Sequence, residues 1–305
     1  LDFSQKSLDV QRNVVIEEFK QRYFNNPYGD IWLKLRPLAY KVHPYQWPTI
    51  GKNIDHIAGA SLEEVEDFFH RFYAPDNAIL SISGNITDEK ALELVKKWFG
   101  DIPPARYKRK ALPMEPQQTE ERRLVCEHNK VPADAIYKVY HMGDRRSDNF
   151  YTCDTISDIL SNGQSSRLYI NLIKNGKLFS EVDAYITGDM DPGLFIFSGK
   201  LSEGVAIEEA EAAIQNEIDR FIEDPISERE LQKVINKTEA RISYSEINYQ
   251  GKSANLAFFD YLGDINLINS ECTRYAEVSL DSIKQTAREL FSAKNCSTLW
   301  YLKDK

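Results

Sequence analysis

The side chains best suited to metal or acid–base chemistry are scattered along this 305-residue chain. Its five histidines are His43, His56, His70, His128 and His141. No two of them stand three or four residues apart, the spacing that places two zinc ligands on one helix face. The motifs H-E-x-x-H and H-x-x-E-H are absent, as are a phosphate-binding loop, G-x-G-x-x-G and G-x-S-x-G. The sequence therefore holds no complete catalytic motif of these classes.

Glu18 is the one candidate metal ligand. The apolar spacing of residues 8–24 predicts a helix with Val10, Val14 and Glu18 on one face. If that face is buried, the carboxylate needs a cation, a metal ion or good hydrogen bonds. The alternative, which composition alone favours, is that Glu17 and Glu18 both lie on the solvent side.

The composition is that of a globular protein with an acidic surface. Asp and Glu number 47 against 38 Lys and Arg, a net charge of −9. Such a surface repels phosphate backbones, so we expect no nucleic-acid partner. No apolar run reaches the ~20 residues of a membrane-spanning helix, so we expect no membrane insertion. The sequence does not fix the compartment, and a soluble cytoplasmic location is favoured.

The predicted elements indicate two α+β domains. Before residue 102 we expect helices over 8–24, 30–40, 61–74 and 88–99, with one strand at 78–83. After residue 121 we expect strands at 122–128, 135–142, 182–187, 194–201 and 297–302, separated by helices. Residues 103–121 are rich in proline and basic residues and read as a linker. The predicted domains are therefore 1–102 and 122–305.

An internal repeat relates these domains. Residues 61–83 align without gaps with residues 279–301, so that Ser61 corresponds to Ser279. Both segments read as a capped helix, a polar corner with an asparagine, and a strand. Coincidence between two ordinary helix–strand units is the alternative. If the repeat is real, about a hundred residues of the first domain precede Leu1. We therefore expect duplicated domains, each with an antiparallel-rich sheet and helices on one face, the first being incomplete.

Several short motifs, in order, resemble one family. They are Arg12–Glu18, Asn26–Gly29, His43–Tyr45, Pro48–Gly51, Tyr73–Asn77, Gly84–Asn85, Ser165–Leu168 and Lys177–Ser180. Together they resemble the insulinase/pitrilysin-like zinc metallopeptidases, which include the mitochondrial processing peptidases. The resemblance covers essentially the whole chain.

The resemblance implies a zinc site that this chain holds only in part. Family members bind zinc through H-x-x-E-H in the first domain and a downstream glutamate, whose position Glu18 matches. The metal then activates a water molecule that hydrolyses a peptide bond. The resemblance further implies that Arg167, Phe179 and Ser180 contact substrate. The departures are Gln11 in place of an acidic residue, and Ile173 and Ser180 in place of an arginine and a tyrosine.

Two functional hypotheses follow from this resemblance. The first is that the chain is part of a zinc metalloendopeptidase and is inactive by itself. The second is a non-catalytic subunit that pairs with an active homologue and helps to enclose a peptide. The expected partners are a peptide or small-protein substrate, with a homodimer or a homologous subunit as alternatives. An α+β protein unrelated to the family remains a third reading.

Overall fold

A computed structural model describes residues 3–128, 131–224 and 226–304. The chain divides into two compact units. Unit 1 comprises residues 1–22, 49–112 and 240–271, and unit 2 comprises residues 23–48, 113–239 and 272–305. The boundaries at 102 and 122 were predicted for the two domains related by the internal repeat. They are not the boundaries of compact units, and they stay a prediction. The compact units do not coincide with them, because residues 23–48 pack in unit 2.

The described residues form eleven α-helices and five strands. The helices are α1 Gln5–Phe19, α2 Ile31–Ala39, α3 Ile54–Gly59, α4 Leu62–Phe72, α5 Asp88–Phe99, α6 Phe150–Ser161, α7 Ile207–Glu223, α8 Glu228–Ser245, α9 Tyr249–Tyr261, α10 Leu267–Ala276 and α11 Leu280–Leu290. The strands are β1 Arg122–His128, β2 Ala135–His141, β3 Phe179–Ile186, β4 Leu194–Leu201 and β5 Cys296–Lys303. The fold is therefore α+β, as predicted. No described helix is long and apolar enough to cross a bilayer.

The five strands form one mixed sheet in unit 2, in the order β1-β5-β2-β4-β3. Strand β1 runs parallel to β5, and the three remaining pairs are antiparallel. The antiparallel-rich sheet that the sequence predicts is thus confirmed for this unit. Strand β5, the last in the chain, lies between the first two.

Helices cover both faces of this sheet, not one. On one face, Leu35 and Ala39 of α2 belong to a buried cluster with Ile196 of β4 and Leu299 of β5. On the other face lie α6, α7 and α11, where Phe291 contacts three buried aromatic rings of β2 and β4. Helices α6, α7 and α11 of the predicted second domain thus lie on one face, as predicted, and the other face is covered by α2, which precedes the sheet in sequence.

Unit 1 is helical in its described residues. The predicted strand at 78–83 is wrong: the segment is non-helical but forms no ladder with any described residue. An extended segment becomes a β-strand only when a neighbour accepts and donates its backbone hydrogen bonds. Leu80 and Ile82 of this segment are exposed, and α4 and α5 contain no buried residue.

The internal repeat has the same local structure in both copies. We call residues 61–83 the first copy and residues 279–301 the second copy. Their helices, α4 and α11, begin and end at equivalent positions of the alignment. Each helix has a serine capping box, at Ser61 and Ser279. Asn77 donates its amide to the carbonyl of Phe72 at 2.7 Å, and Asn295 makes the equivalent bond to Leu290 at 3.0 Å. These shared details support a genuine duplication.

The predicted linker is irregular, as expected, but both of its ends are fastened. In unit 1, the Asp76 carboxylate accepts the backbone N–H groups of Ala105 and Arg106 at 2.9 and 2.8 Å. In unit 2, the Glu115 carboxylate accepts three consecutive backbone N–H groups, those of residues 41–43, at 2.8–2.9 Å. Gln118 is buried and donates to the carbonyl of Cys296 at 2.7 Å. The segment is therefore a strap with ordered contacts at each end.

Candidate functional site

Glu18 lies near the C-terminal end of α1, on a face that the chain leaves open. Its side chain is 44% exposed and pairs with Arg22 at 2.7 Å. Val14 and Val10, one and two turns earlier, are also exposed. The described chain therefore shows the alternative that composition favours, with Glu17 and Glu18 both on the solvent side. The helix buries Leu8 and Phe19 instead.

The described residues do not fit a zinc ion by themselves. Within residues 3–128, 131–224 and 226–304, no three His, Cys, Asp or Glu side chains gather closely enough to hold a metal. Zinc in a catalytic site takes three protein ligands and a water molecule. Glu18 offers one carboxylate, which Arg22 already neutralises. We therefore derive no metal-dependent step from this chain.

Arg167 is committed to a structural ion pair. Its guanidinium donates to both carboxylate oxygens of Glu230, at 2.9 and 3.2 Å, and lies over the ring of Phe221. Partial burial acts to raise the pKa of Glu230, but Arg167 and Ser227 outweigh it and lower that pKa to about 2. Ser227 forms a capping box with Glu230 at the start of α8. A substrate contact by Arg167 stays a prediction, and it would compete with this bidentate pair.

Phe179 and Ser180 begin β3, one of the two edge strands of the sheet. Phe179 is buried, and its ring lies against Gly199 so closely that a Cβ atom there would meet it at 2.5 Å. Ser180 is exposed, and its hydroxyl donates to the carbonyl of Lys200 at 3.2 Å. Ile173 lies in the π-helical turn Tyr169–Asn175, and Gln11 lies on α1. Glu18 belongs to unit 1 and the three predicted substrate residues to unit 2.

A charged cluster of unit 2 centres on Glu211 of α7. Arg123 of β1 binds both of its oxygens, at 2.7 and 2.8 Å. Lys138 of β2, which is buried, donates at 3.2 Å, and the Trp300 indole of β5 donates at 2.7 Å. Burial acts to raise the pKa of Glu211, but these cations outweigh it and lower the pKa to about 2. A cavity of about 620 Å³ adjoins the cluster. Every charge in the cluster has a partner, so it is suited to hold the helix on the sheet.

A second polar cluster surrounds the unit 2 end of the strap, beside Glu115. The Nδ1 atom of His43 accepts the backbone N–H of Tyr45 at 3.2 Å, which leaves the proton on Nε2. That buried Nε2 atom lies 3.4 Å from the Asp191 carboxylate. His141 lies 2.9 Å, through Nε2, from the carbonyl of Ala39. Burial lowers the pKa of His141, because the loss of solvent disfavours its charged form more than the Ala39 carbonyl and Glu115 favour it. These groups tie the loop after α2 to the end of β2.

Sequence reasoning missed both clusters. Glu211, Arg123 and Lys138 lie far apart in the chain and meet only because α7 crosses the β1-β5-β2 strands. Lys138 carried one signal, since it interrupts an apolar strand at a position that a sheet buries. A cation at such a position requires an acidic partner. The proline-rich sequence around Glu115 contained no comparable feature that would predict its hydrogen bonds.

Comparisons with known proteins agree with the fold. The family described as the peptidase M16 inactive domain matches residues 59–238, more than half of the chain. The chain is 27% identical over 299 residues to the zinc protease PqqE of Helicobacter pylori, a match that covers 95% of this chain and 66% of that protein. It is 23% identical over 298 residues to the uncharacterized zinc protease YmxG of Bacillus subtilis, covering 95% and 69%. The chain thus spans about two thirds of the length of these curated relatives.

Solved structures show the same fold. A protease from Helicobacter pylori superposes with a TM-score of 0.91 at 23% identity, covering 99% of this chain and 73% of that one. A peptidase M16 inactive domain from Pseudomonas fluorescens superposes with a TM-score of 0.87 at 14% identity, covering 99% and 71%. With the family match, these similarities confirm the resemblance to insulinase/pitrilysin-like peptidases. The chain belongs to the family of peptidase M16 inactive domains.

Proposed function

We propose that this chain is the non-catalytic part of a zinc-dependent metalloendopeptidase and encloses a peptide or small-protein substrate. Alone it hydrolyses no peptide bond. In the whole protein, hydrolysis by a metal-activated water depends on imidazole ligands and a general base that this chain does not supply. The family match supports a peptidase-like inactive domain.

One observation carries the proposal. The chain belongs to a peptidase family, yet its described residues bring no three metal ligands together. The relatives named zinc proteases are about half as long again, so they have room for residues that this chain lacks. Glu18 would be the contribution of this chain to a metal centre completed by such residues. The exposed face of α1 leaves its carboxylate within reach of an added segment.

A second function, a subunit that pairs with an active homologue, has its own support. Ile173 and Ser180 stand where the family places groups that polarise the scissile carbonyl, and neither side chain supplies a charge there. Gln11 replaces an acidic residue near the proposed zinc ligand. A pairing subunit tolerates these changes because its partner performs the chemistry. In the other version of this proposal, the chain pairs with a second copy of itself as a homodimer.

Zinc content and peptidase activity test the proposal. We expect the purified 305-residue protein to retain no stoichiometric zinc after dialysis and to cleave no fluorogenic peptide substrates. In a longer form that carries H-x-x-E-H, Glu18→Gln should weaken zinc binding by orders of magnitude. Glu17→Gln is the matched control, because Glu17 is the exposed neighbour that pairs with Lys20.

Three outcomes would decide among the alternatives. Stoichiometric zinc and hydrolysis by the 305-residue protein would overturn the proposal. Equal loss of zinc in both glutamine variants would remove Glu18 as a ligand. Co-purification with a second chain that bears H-x-x-E-H would favour the pairing subunit.

A further inference from the structure

We propose that strand β1 is an interface between two copies of this chain, which pair antiparallel through the outer edges of their β1 strands. A two-fold axis perpendicular to the sheet passes between the two Val125 residues. The sheets of the two copies then form one continuous sheet. The inference rests on the homodimer version of the proposed function, and it names the surface that this version requires.

Strand β1 is an edge strand with an open outer side. Among the described strands it pairs with β5 alone, so alternate residues turn their backbone N–H and C=O groups away from the sheet. Val125, in the middle of the strand, is 49% exposed. Unpaired backbone groups beside an exposed apolar side chain are a template for the addition of another strand.

The side chains of β1 alternate between the two faces of the sheet. Arg123 binds a carboxylate of α7, so Arg123, Val125 and Glu127 lie on the α7 face. Leu124 and Cys126 pack against the buried cluster that includes α2, so they lie on the opposite face. Because the two-fold axis is perpendicular to the sheet, each side chain meets residues of its own face in the second copy.

The sequence of β1 is self-complementary in one register. With the axis at Val125, Arg123 of each copy lies opposite Glu127 of the other copy. On the other face, the same register places Leu124 opposite Cys126. Cross-strand pairs of opposite charge, and pairs of apolar side chains, stabilise antiparallel strands. The symmetry forms each of these pairs twice, once on each side of the axis.

The neighbouring registers do not have this match. An axis at Leu124 places Glu121 opposite Glu127, which brings two like charges together. An axis at Cys126 places the apolar Val125 opposite Glu127. The order of charged and apolar residues therefore specifies pairing about Val125.

The other edge strand, β3, shows the opposite design. Its charged side chains, Glu181 and Asp183, are both negative, so no register brings opposite charges together between two copies of β3. Charged side chains on an edge strand protect it from pairing with another chain. The second copy is therefore expected at β1 and not at β3.

Sedimentation velocity of the 305-residue protein tests the proposal. Pairing of two short strands gives a small interface, so we expect a monomer–dimer equilibrium between about 1 and 500 µM. Val125→Lys places two ammonium groups opposite each other at the axis and should raise the dissociation constant at least about tenfold. Glu127→Arg turns both opposite-charge pairs into like-charge pairs and should weaken association less, in a manner that added salt reduces.

Val42→Lys is the matched control. Val42 also belongs to unit 2 and is exposed to a similar extent, 44%, but it lies in the loop after α2. The substitution adds the same charge away from β1, so the dissociation constant should stay within about threefold of the unsubstituted value. Far-ultraviolet circular dichroism verifies that both lysine variants are folded.

A disulfide locates the axis. In Val125→Cys, the two introduced thiols lie opposite each other with their Cβ atoms about 5 Å apart, so a small adjustment lets diamide join them. The native Cys126 thiols are diagonal neighbours about 7–8 Å apart, which is too far for a disulfide. We therefore expect a covalent dimer from Val125→Cys and none from the unsubstituted protein or from Val42→Cys.

Any one of three results would overturn the proposal. The protein may prove monomeric up to about 500 µM. Val42→Lys may weaken association as much as Val125→Lys, or Val125→Cys may form no more covalent dimer than Val42→Cys; either result would place the interface elsewhere. None of these readouts depends on zinc or hydrolysis, so this inference can fail while the proposed non-catalytic role stands.

Discussion

The first and second copies of the repeat differ in their surroundings and not in their local geometry. Both helices begin at a serine capping box, span eleven residues and end at a short 3-10 turn that closes with an asparagine. Yet α11 buries four side chains and α4 buries none. Caps and turns therefore determine where these elements begin and end. Burial depends on the strands and helices that pack against them.

This contrast separates two contributions to stability. A helix cap acts within one turn and contributes about 1 kcal/mol wherever the helix lies. Burial of a large apolar side chain contributes about 1.5–3 kcal/mol, but only where other elements exclude water. The second copy has both contributions, whereas α4 of the first copy has the cap but no fully buried side chain. Substitutions at equivalent positions should therefore have unequal effects.

The largest inequality should appear at the helix core position. Ile283→Asp places a carboxylate where the side chain is fully buried, and we expect it to cost more than about 4 kcal/mol. Val65→Asp, the equivalent change on α4, should cost at most about 0.5 kcal/mol. Urea denaturation followed by circular dichroism measures both values. Comparable losses of unfolding free energy in the two variants would show that burial does not distinguish these equivalent positions.

The next largest difference in stability is expected between substitutions of the two carboxylates that bind the strap, Glu115 and Asp76. Glu115→Ala removes the acceptor of three backbone N–H groups in unit 2, and we expect a loss of about 1–2 kcal/mol. Asp76→Ala removes two such bonds at an exposed site in unit 1 and should cost less. Hydrogen exchange at residues 41–43 and 105–106 reports each change. A larger effect from Asp76→Ala would contradict the assignment.

The corner asparagines should show a smaller inequality. Asn295 donates to the carbonyls of Leu290 and His141 at 3.0 and 2.9 Å, whereas Asn77 donates to Phe72. We expect Asn295→Ala to cost about 1 kcal/mol and Asn77→Ala about half as much. Thermal unfolding resolves such a difference when both variants are measured side by side. Equal values would mean that the bond to His141 adds no stability.

The smallest effect should be a pH dependence near the second copy. Burial places the folded-state pKa of His141 below its ordinary value of 6.5, so the unfolded chain binds the proton more readily. The contribution of neutral His141 to the free energy of unfolding is therefore present above about pH 6.5 and is lost as the pH falls below that value.

A non-titrating side chain isolates this contribution. His141→Gln keeps a donor near the carbonyl of Ala39 and should flatten the dependence of unfolding free energy on pH just below 6.5. The remaining loss should occur at lower pH. There Glu115, whose pKa the three backbone donors hold below its ordinary value of 4.5 despite partial burial, becomes protonated. An unchanged slope would assign the dependence to other groups.

Local signals in the sequence predict much of this fold. The serine caps, the apolar spacing and the alignment of the two copies locate α4, α11 and the strand at 296–303 to within a residue or two. The resemblance also indicates the peptidase family. Each of these inferences depends on residues near one another in the chain, or on repetition of the same local pattern.

The remaining features depend on distant contacts. The position of α2 on the sheet, the strap bonds of Glu115 and the exposure of Glu18 involve residues that no short window contains. Helices α3, α9 and α10 were not predicted, and in α9 the apolar residues follow the helical period weakly. The segment at 78–83 has a strand-like pattern but lacks a described neighbour. An apolar pattern indicates the strand propensity of a segment, whereas a strand in a sheet also needs a neighbouring strand to bond with.

The single carboxylate of Glu211 has a mechanical consequence for unit 2. It is bound at once by residues of β1, β2 and β5, which are adjacent in the sheet. Sliding α7 along its axis by one turn would move that carboxylate by about 5.4 Å and leave the buried Lys138 charge without a counterion. The helix and these three strands are therefore locked in register, and any internal rearrangement of unit 2 must carry them as one rigid block.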